Sequence, residues 1–213
     1  MSMRLYSFFR SSAAFRVRIA LNLKGIEYET VRVTLSQGEH REAPFLAKNP
    51  LAAVPVLEHD GEHIQQSLAI IEYLDSLFSD PRLLPLEPLL RARVQAFAQT
   101  IACEVHPLNN LRVLRYLRRE LEADEPTVQR WYSHWIAESF RGLETIAAHF
   151  SAGSYCFGDA VSLADVCLIP QIYNARRFSC DLTPYPTLVR IADALRETPA
   201  FFAAAPEQQP DAE

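Results

Sequence analysis

Leu5, Tyr6, Phe8 and Phe9 form a short apolar run, and the period changes directly after it. The short run reads as a strand over Leu5 to Phe9. The stretch SAAFRVRIALNLK, from Ser12 to Lys24, reads as a helix, with Gly25 as its stop. YETVRVTL alternates: Val31, Val33 and Leu35 face one way, Arg32 and Thr34 the other, as in a half-buried strand. AAVPVLEHDGEHI holds a strand, an Asp60-Gly61 turn and a returning strand, a hairpin. SLAIIEYLDSLF repeats apolar residues at positions 70, 71, 74, 77 and 78, one stripe of a helix. The predicted order is strand, helix, strand, loop, hairpin, helix.

The Pro-punctuated stretch SDPRLLPLEP, residues 79–88, breaks the pattern. Everything after it reads helical. A long apolar pattern runs from Pro88 to Glu120, with Pro107 placed to kink or break it. A second runs from Pro126, suited to a first helical turn, to about Phe150. Its Trp131, Trp135, Phe140, Leu143, Ile146 and Phe150 read as helix core. A third helix starts at Ser162, where SLAD fits a capping box with Asp165 reaching back to the backbone. A last helix covers about Pro186 to Glu197, and the polar tail APEQQPDAE is expected to fray. The division is an α/β domain at 1–80, a linker at 81–88 and an all-helical domain at 89–213.

Composition narrows the function classes. About half of the 213 residues are apolar and 22% are charged, which predicts a folded core. The net charge is −5 and no basic run exceeds a pair, which argues against nucleic acid as a partner. No window approaches 18 uncharged apolar residues, and the N-terminus shows no secretory pattern, so neither a membrane partner nor export is expected. A cytoplasmic location follows as the expectation. Cys103, Cys156, Cys167 and Cys180 lie far apart without a C-x-x-C, so free thiols packed in the core are predicted and no metal site is. Nineteen of the 21 basic residues are Arg, the better partner for planar carboxylates.

Four short stretches carry candidate chemistry. Arg10-Ser11-Ser12 precedes a helix, where hydroxyls either cap the helix or face an anion bound at its N-terminus. Pro55 follows Val54 and opens a strand; a cis bond there exposes the Val54 backbone to an extended ligand, and the alternative is an ordinary trans proline. Gln66-Ser67 stands at another helix start, fit either to hold a carboxylate or to cap. EVHPLNN places His106, Asn109 and Asn110 beside a helix-breaking proline. There is no G-x-S-x-G, no paired metal ligands and no phosphate-binding glycine loop, and the chain has only six glycines. Such a site holds a ligand that brings its own reactivity.

The stretch RSSAAFRVRIALNLKGIEYE resembles the N-terminal signature of the zeta-class glutathione transferases. QSLAIIEYL, GDAVSLADVCLIPQIYNARRF and DLTPYPTL are similar to further segments of that class at similar spacing, so the resemblance spans nearly the whole chain. It implies a thioredoxin-like α/β domain followed by an all-α domain, glutathione as cofactor, and a homodimer. It implies that Ser11 and Ser12 lie near the glutathione sulfur, with Arg10 beside them. Val54, before a cis Pro55, is implied to pair with the cysteinyl backbone. Gln66 and Ser67 are implied to hold the γ-glutamyl carboxylate, and His40, His106 and Asn110 to make further glutathione contacts. Arg10, Arg177, Arg176 and Arg112 are implied to meet the carboxylates of a small dicarboxylate substrate. The implied activity is cis–trans isomerisation of maleylacetoacetate in aromatic amino-acid catabolism. Maleylpyruvate, glutathione transfer to haloacids, or a non-enzymatic transferase-fold binding role are the alternatives. The class usually reads Ser-Ser-Cys-Ser at the signature; here it is Ser11-Ser12-Ala13-Ala14.

Overall fold

The computed structural model describes residues 2–212. The chain divides into two compact units, Met1–Leu83 with Arg196–Glu213, and Leu84–Leu195.

The first unit runs β1 (Met3–Ser7), α1 (Ser12–Leu23), β2 (Glu29–Arg32), α2 (Ala43–Leu46), β3 (Val56–His59), β4 (Glu62–Gln65) and α3 (Ser67–Leu77). The strands form one sheet in the order β2-β1-β3-β4. β1 and β2 are parallel and joined through α1; β3 is antiparallel to β1 and to β4. The hairpin turns through Asp60 and Gly61 at φ 50° and 90°, the left-handed pair that a two-residue connection requires. Val33 joins Tyr6, Phe45 and Val56 in a buried cluster, with Val31 and Leu35 packed on it, as the alternation predicts. β2 is shorter than the sequence pattern suggests, and β1 lies two positions earlier at the same length. β1 ends at Ser7, so Phe8 and Phe9 belong to the turn before α1.

α1 is buried at every position from Ala14 to Leu21, including Arg16 and Arg18. A helix buried all round needs neighbours on every side. α3 packs on it, and so does α10 (Pro199–Ala204), a short helix from the far end of the chain. The expected frayed tail is therefore corrected. Pro206, Gln209 and Asp211 are buried, and the segment closes the exposed side of α1. Lys24 and Asp75 form a buried ion pair at 2.8 Å, and Lys24 also donates to the carbonyls of Phe78 and Pro81. That ties the end of α1 to residues 78–81, where Asp80-Pro81 is cis.

The second unit is helical: α4 (Pro88–Gln99), a π-helical stretch (Thr100–Val105), α5 (His106–Leu108), α6 (Leu111–Arg119), α7 (Glu125–Phe150), α8 (Leu163–Arg177) and α9 (Pro186–Arg196). The break at Pro107 is present, and it is graded. Pro107 has no N–H to give, and just before it the His106 N–H reaches five residues back to the Ile101 carbonyl. α7 buries Val128, Tyr132, Ile136, Phe140, Leu143 and Ala147, a single stripe at three- and four-residue steps. Ile146 falls off that stripe and is 38% exposed, against the expectation of a core residue. Trp131 and Trp135 are half-buried. The capping box at α8 is formed: Asp165 accepts from the Ser162 N–H at 2.8 Å and from the Cys156 N–H at 2.7 Å. Cys156 and Cys167 are buried as predicted, whereas Cys103 is exposed and Cys180 half-buried.

Candidate functional site

Three of the candidate stretches meet at one end of the sheet. Tyr6 pairs with Val56, and Val56 pairs with Gln65. The last residues of β1, the first of β3 and the last of β4 thus lie side by side. Arg10-Ser11-Ser12 follows β1, Val54-Pro55 precedes β3, and Gln66-Ser67 follows β4. Arg16, one turn into α1, donates from Nη1 to Ser67 Oγ at 3.4 Å, which joins the starts of α1 and α3. Two helix N-termini, each carrying partial positive charge, open at this end.

Ser11 is the N-cap of α1. Its N–H donates to the Phe8 carbonyl at 2.9 Å, and its Oγ accepts from the Ala14 N–H at 3.2 Å. Of the two roles open to this hydroxyl, the helix cap is therefore present. A cap, however, uses one lone pair and leaves the hydroxyl proton to donate elsewhere. Ser12 is the first helical residue and is 6% exposed. The exposed Arg10 places its guanidinium 4.6 Å from the centre of the Phe9 ring.

The Val54-Pro55 bond is cis. The loop before it is shaped by Asn49, whose Nδ2 donates to the Ala53 carbonyl at 2.7 Å and whose Oδ1 accepts from the Leu51 N–H at 3.0 Å. Gln65 Nε2 donates to the Lys48 carbonyl at 2.8 Å and ties the loop to β4. Sequence reasoning missed Asn49; the Asn49-Pro50 pair was the available turn signal. Gln66 stands at the N-cap of α3 with φ 70° and ψ 116°, and its side chain accepts no helix N–H. That differs from an ordinary cap and leaves the side-chain amide for another partner. His40 sits half-buried on a single 3-10 turn, Glu39–Arg41, after β2. An open depression of about 420 Å3 beside β2 and α2, lined by Tyr6, Arg32, Phe45 and Lys48 among others, includes none of the three stretches.

In the second unit, His106 opens α5 and Asn110 caps α6, accepting from the Arg112 N–H at 3.1 Å. Asn110 Nδ2 and His106 Nε2 are 3.5 Å apart. Asn109 turns inward instead and donates to the Tyr132 carbonyl. Arg112, Arg176 and Arg177 are exposed. Arg176 is engaged by Asp193 at 2.8 Å. Arg177 lies 5.1 Å from the ring of Phe178, which itself stacks on Tyr132 at 3.8 Å. Burial pushes the thiols of Cys156 and Cys180 up, the opposite of what a nucleophile needs. Among the described residues no group of His, Cys, Asp or Glu is arranged to hold a metal.

Residues 1–76 match the model of the glutathione S-transferase N-terminal domain, and residues 129–197 that of the glutathione S-transferase C-terminal domain. The chain is 53% identical over 215 residues to a probable maleylacetoacetate isomerase of Vibrio cholerae, covering 100% of this chain and 99% of that one. It is similar to a holo maleylpyruvate isomerase described as a bacterial zeta-class glutathione S-transferase, at 44% identity and a TM-score of 0.96, covering 99% and 100% of the two chains. It is also similar to a maleylacetoacetate isomerase of Methylobacterium extorquens AM1 solved with bound malonate and glutathione, at 40% identity and a TM-score of 0.90, covering 99% of each chain.

Proposed function

The chain belongs to the glutathione S-transferase family, and on that premise we propose that it is a zeta-class, glutathione-dependent cis–trans isomerase whose substrate is maleylacetoacetate. The observation that carries this reading is the meeting of Arg10-Ser11-Ser12, Val54-Pro55 and Gln66-Ser67 at one end of the sheet. The donor set there fits glutathione: two helix N-termini for anionic groups, two hydroxyls, and a backbone edge at Val54 suited to an extended peptide. The Gln66 amide, unused by its own helix, fits a carboxylate. When bound, glutathione supplies a sulfur nucleophile for reversible addition to a cis double bond, so that rotation about the resulting single bond and elimination give the trans isomer.

The protein's part is to hold and polarise. Free thiols near pKa ~8.5 are only a few per cent ionised at neutral pH. The Ser11 hydroxyl proton and the N-terminus of α1 stabilise negative charge at the sulfur. Ser12 belongs to the same first turn. Gln66 and Ser67 hold the γ-glutamyl carboxylate, Val54 pairs with the cysteinyl backbone, and His40, His106 and Asn110 complete the contacts that the resemblance implies. Arg10 takes a substrate carboxylate through a bidentate contact. Arg177 and Arg112 are the further candidates. Arg176 ranks behind them because Asp193 already engages it. The proposal includes a homodimer in the cytoplasm; four free cysteines fit a reducing compartment.

A second reading, maleylpyruvate as the substrate, is favoured by the likeness to the maleylpyruvate isomerase. The test is isomerisation of both acids by the purified protein, with and without glutathione. Turnover of maleylacetoacetate only with glutathione is expected, and faster turnover of maleylpyruvate would exchange the two readings. Ser11→Ala should lower turnover about a hundredfold, as loss of one charge-stabilising donor does. Its stability should fall by only ~1 kcal/mol, the worth of a cap. Ser12→Ala is the companion variant. Full activity in both would remove the hydroxyls from the chemistry.

A further inference from the structure

Phe9 lies two residues ahead of Ser11, in the turn that carries the hydroxyls, and both of its backbone polar groups are clamped by charged side chains. Its N–H donates to Asp211 Oδ2 at 3.0 Å. Its carbonyl accepts from Arg18 Nη2 at 2.9 Å. Arg18 also donates from Nε to the Ala204 carbonyl at 2.9 Å and from Nη1 to Ser7 Oγ at 3.1 Å. One guanidinium therefore joins the end of β1, the Phe9 turn and the end of α10. Asn22 adds a further tie, donating to the Ala200 carbonyl at 3.0 Å. Arg18 is 0% exposed, Asp211 6% and Phe9 5%. Burial lowers the Arg18 guanidinium to about 10, against the opposing pull of Tyr28 and Asp211, so it stays charged at neutral pH.

We propose that residues 199–211 are a strap that sets the geometry of the Arg10-Ser11-Ser12 turn, with Asp211 and Arg18 as its positioning residues. The inference rests on the reading of those serines as the sulfur-facing hydroxyls. Its physical basis is the cost of leaving a buried N–H without an acceptor. Without Asp211, the Phe9 N–H must turn to find another partner. The Phe8 carbonyl that receives the Ser11 N–H then moves with the same peptide. A shift of order 1 Å at a catalytic donor costs up to a hundredfold in rate. Asp211 and Arg18 touch neither substrate nor sulfur in this account. They act through the Phe9 peptide.

Asp211→Ala is the test, read by kcat, by its pH profile and by amide exchange at residues 9–14. The expected kcat falls about tenfold to a hundredfold, with a smaller change in the KM of the dicarboxylate. The acid limb of the kcat profile moves to higher pH, because a hydroxyl drawn back from the sulfur leaves the thiol harder to ionise. Exchange accelerates at residues 9–14 and stays unchanged in β3 and β4. Asp211→Asn keeps an acceptor for Phe9 and stands in if the alanine variant does not fold. Its neutral bond is about half as strong, so it shifts kcat and exchange in the same direction by less. An unmoved acid limb and unchanged exchange at residues 9–14 overturn the strap, even if the melting temperature drops. Wild-type protein without glutathione-dependent turnover would sink the proposed function instead, and the exchange measurement alone then decides whether the strap exists.

Discussion

Gln66 adopts a backbone that only glycine takes without cost, φ 70° with ψ 116°. A non-glycine residue there carries roughly 1–3 kcal/mol of strain and persists only where its surroundings over-determine it. Nothing in the spelling of Gln66-Ser67 announces this; the pair reads as one more helix start. The neighbouring features were more legible. Pro55 after Val54 at a strand start left cis and trans both open, and the resemblance implied the cis bond that the fold contains. Ser11 signalled a cap, which it is. Strain cannot be read the same way, because it is set by β4 arriving and α3 departing at a fixed angle. If the strain serves to aim the Gln66 amide at a carboxylate, Gln66→Gly separates stability from binding. The variant should be at least as stable as the wild type, since relief of the strain offsets the ~1 kcal/mol of backbone entropy that glycine adds. Its KM for glutathione should rise about tenfold, the loss of one charge-assisted hydrogen bond. Chemical denaturation and glutathione kinetics on one preparation check both halves. A less stable variant with unchanged KM would make Gln66 a structural residue only.

Among the elements, α8 is the one whose start was spelled out most fully. SLAD predicted the capping box, and Asp165 forms it. What the pattern did not contain is the third partner. Asp165 Oδ2 takes the Ser162 N–H and hydroxyl, while Oδ1 takes the Cys156 N–H nine residues upstream. Both oxygens thus face donors in a fully buried place. The carboxylate closes the loop 156–162 as well as the helix. A capping residue alone is worth about 1 kcal/mol. Loss of three buried hydrogen bonds, two of them leaving backbone N–H groups unsatisfied, should cost Asp165→Ala at least about 3 kcal/mol. Asp165→Asn is the sharper variant. It is nearly isosteric, yet it must point an NH2 at one of two N–H donors, so its loss should approach that of alanine. Equal stability of the asparagine variant and the wild type in urea would show that one oxygen suffices. α10 is the opposite case. Its six residues, opened by Pro199 after the Thr198 cap position and followed by Pro206, are too few for a periodic signal to declare a buried face. Its packing is decided by α1, whose burial on all sides is itself invisible in a weakly amphipathic sequence.

Over the whole chain, local signals were readable and long-range ones were not. The strand–helix order and the change to an all-helical region follow from period together with the glycine and proline breaks at Gly25, Asp60-Gly61 and residues 79–88. The return of residues 196–213 to the first unit does not, because its ties join positions as far apart as Phe9 and Asp211, 202 residues along the chain. Net charge is the whole-molecule property that bears on the substrate. At −5 the surface as a whole repels a dicarboxylate, while the arginines proposed for recognition attract it at short range. Salt distinguishes the two. Repulsion by charges spread over the surface acts beyond the Debye length, ~8 Å at physiological ionic strength, and is screened early. Contact with Arg10 and its partners acts inside that length, yet it weakens as ions compete for the guanidinium. If recognition is local, KM for the dicarboxylate rises with added sodium chloride, and Arg177→Ala flattens the rise. If net charge governs the encounter, KM falls as salt is added, and the arginines are not what selects an acid. The measurement needs initial rates at several salt concentrations with glutathione saturating, so that its own charged contacts do not enter. A KM that rises in the wild type and rises just as steeply in Arg177→Ala would leave Arg10 and Arg112 as the carboxylate partners and exclude Arg177 from that role.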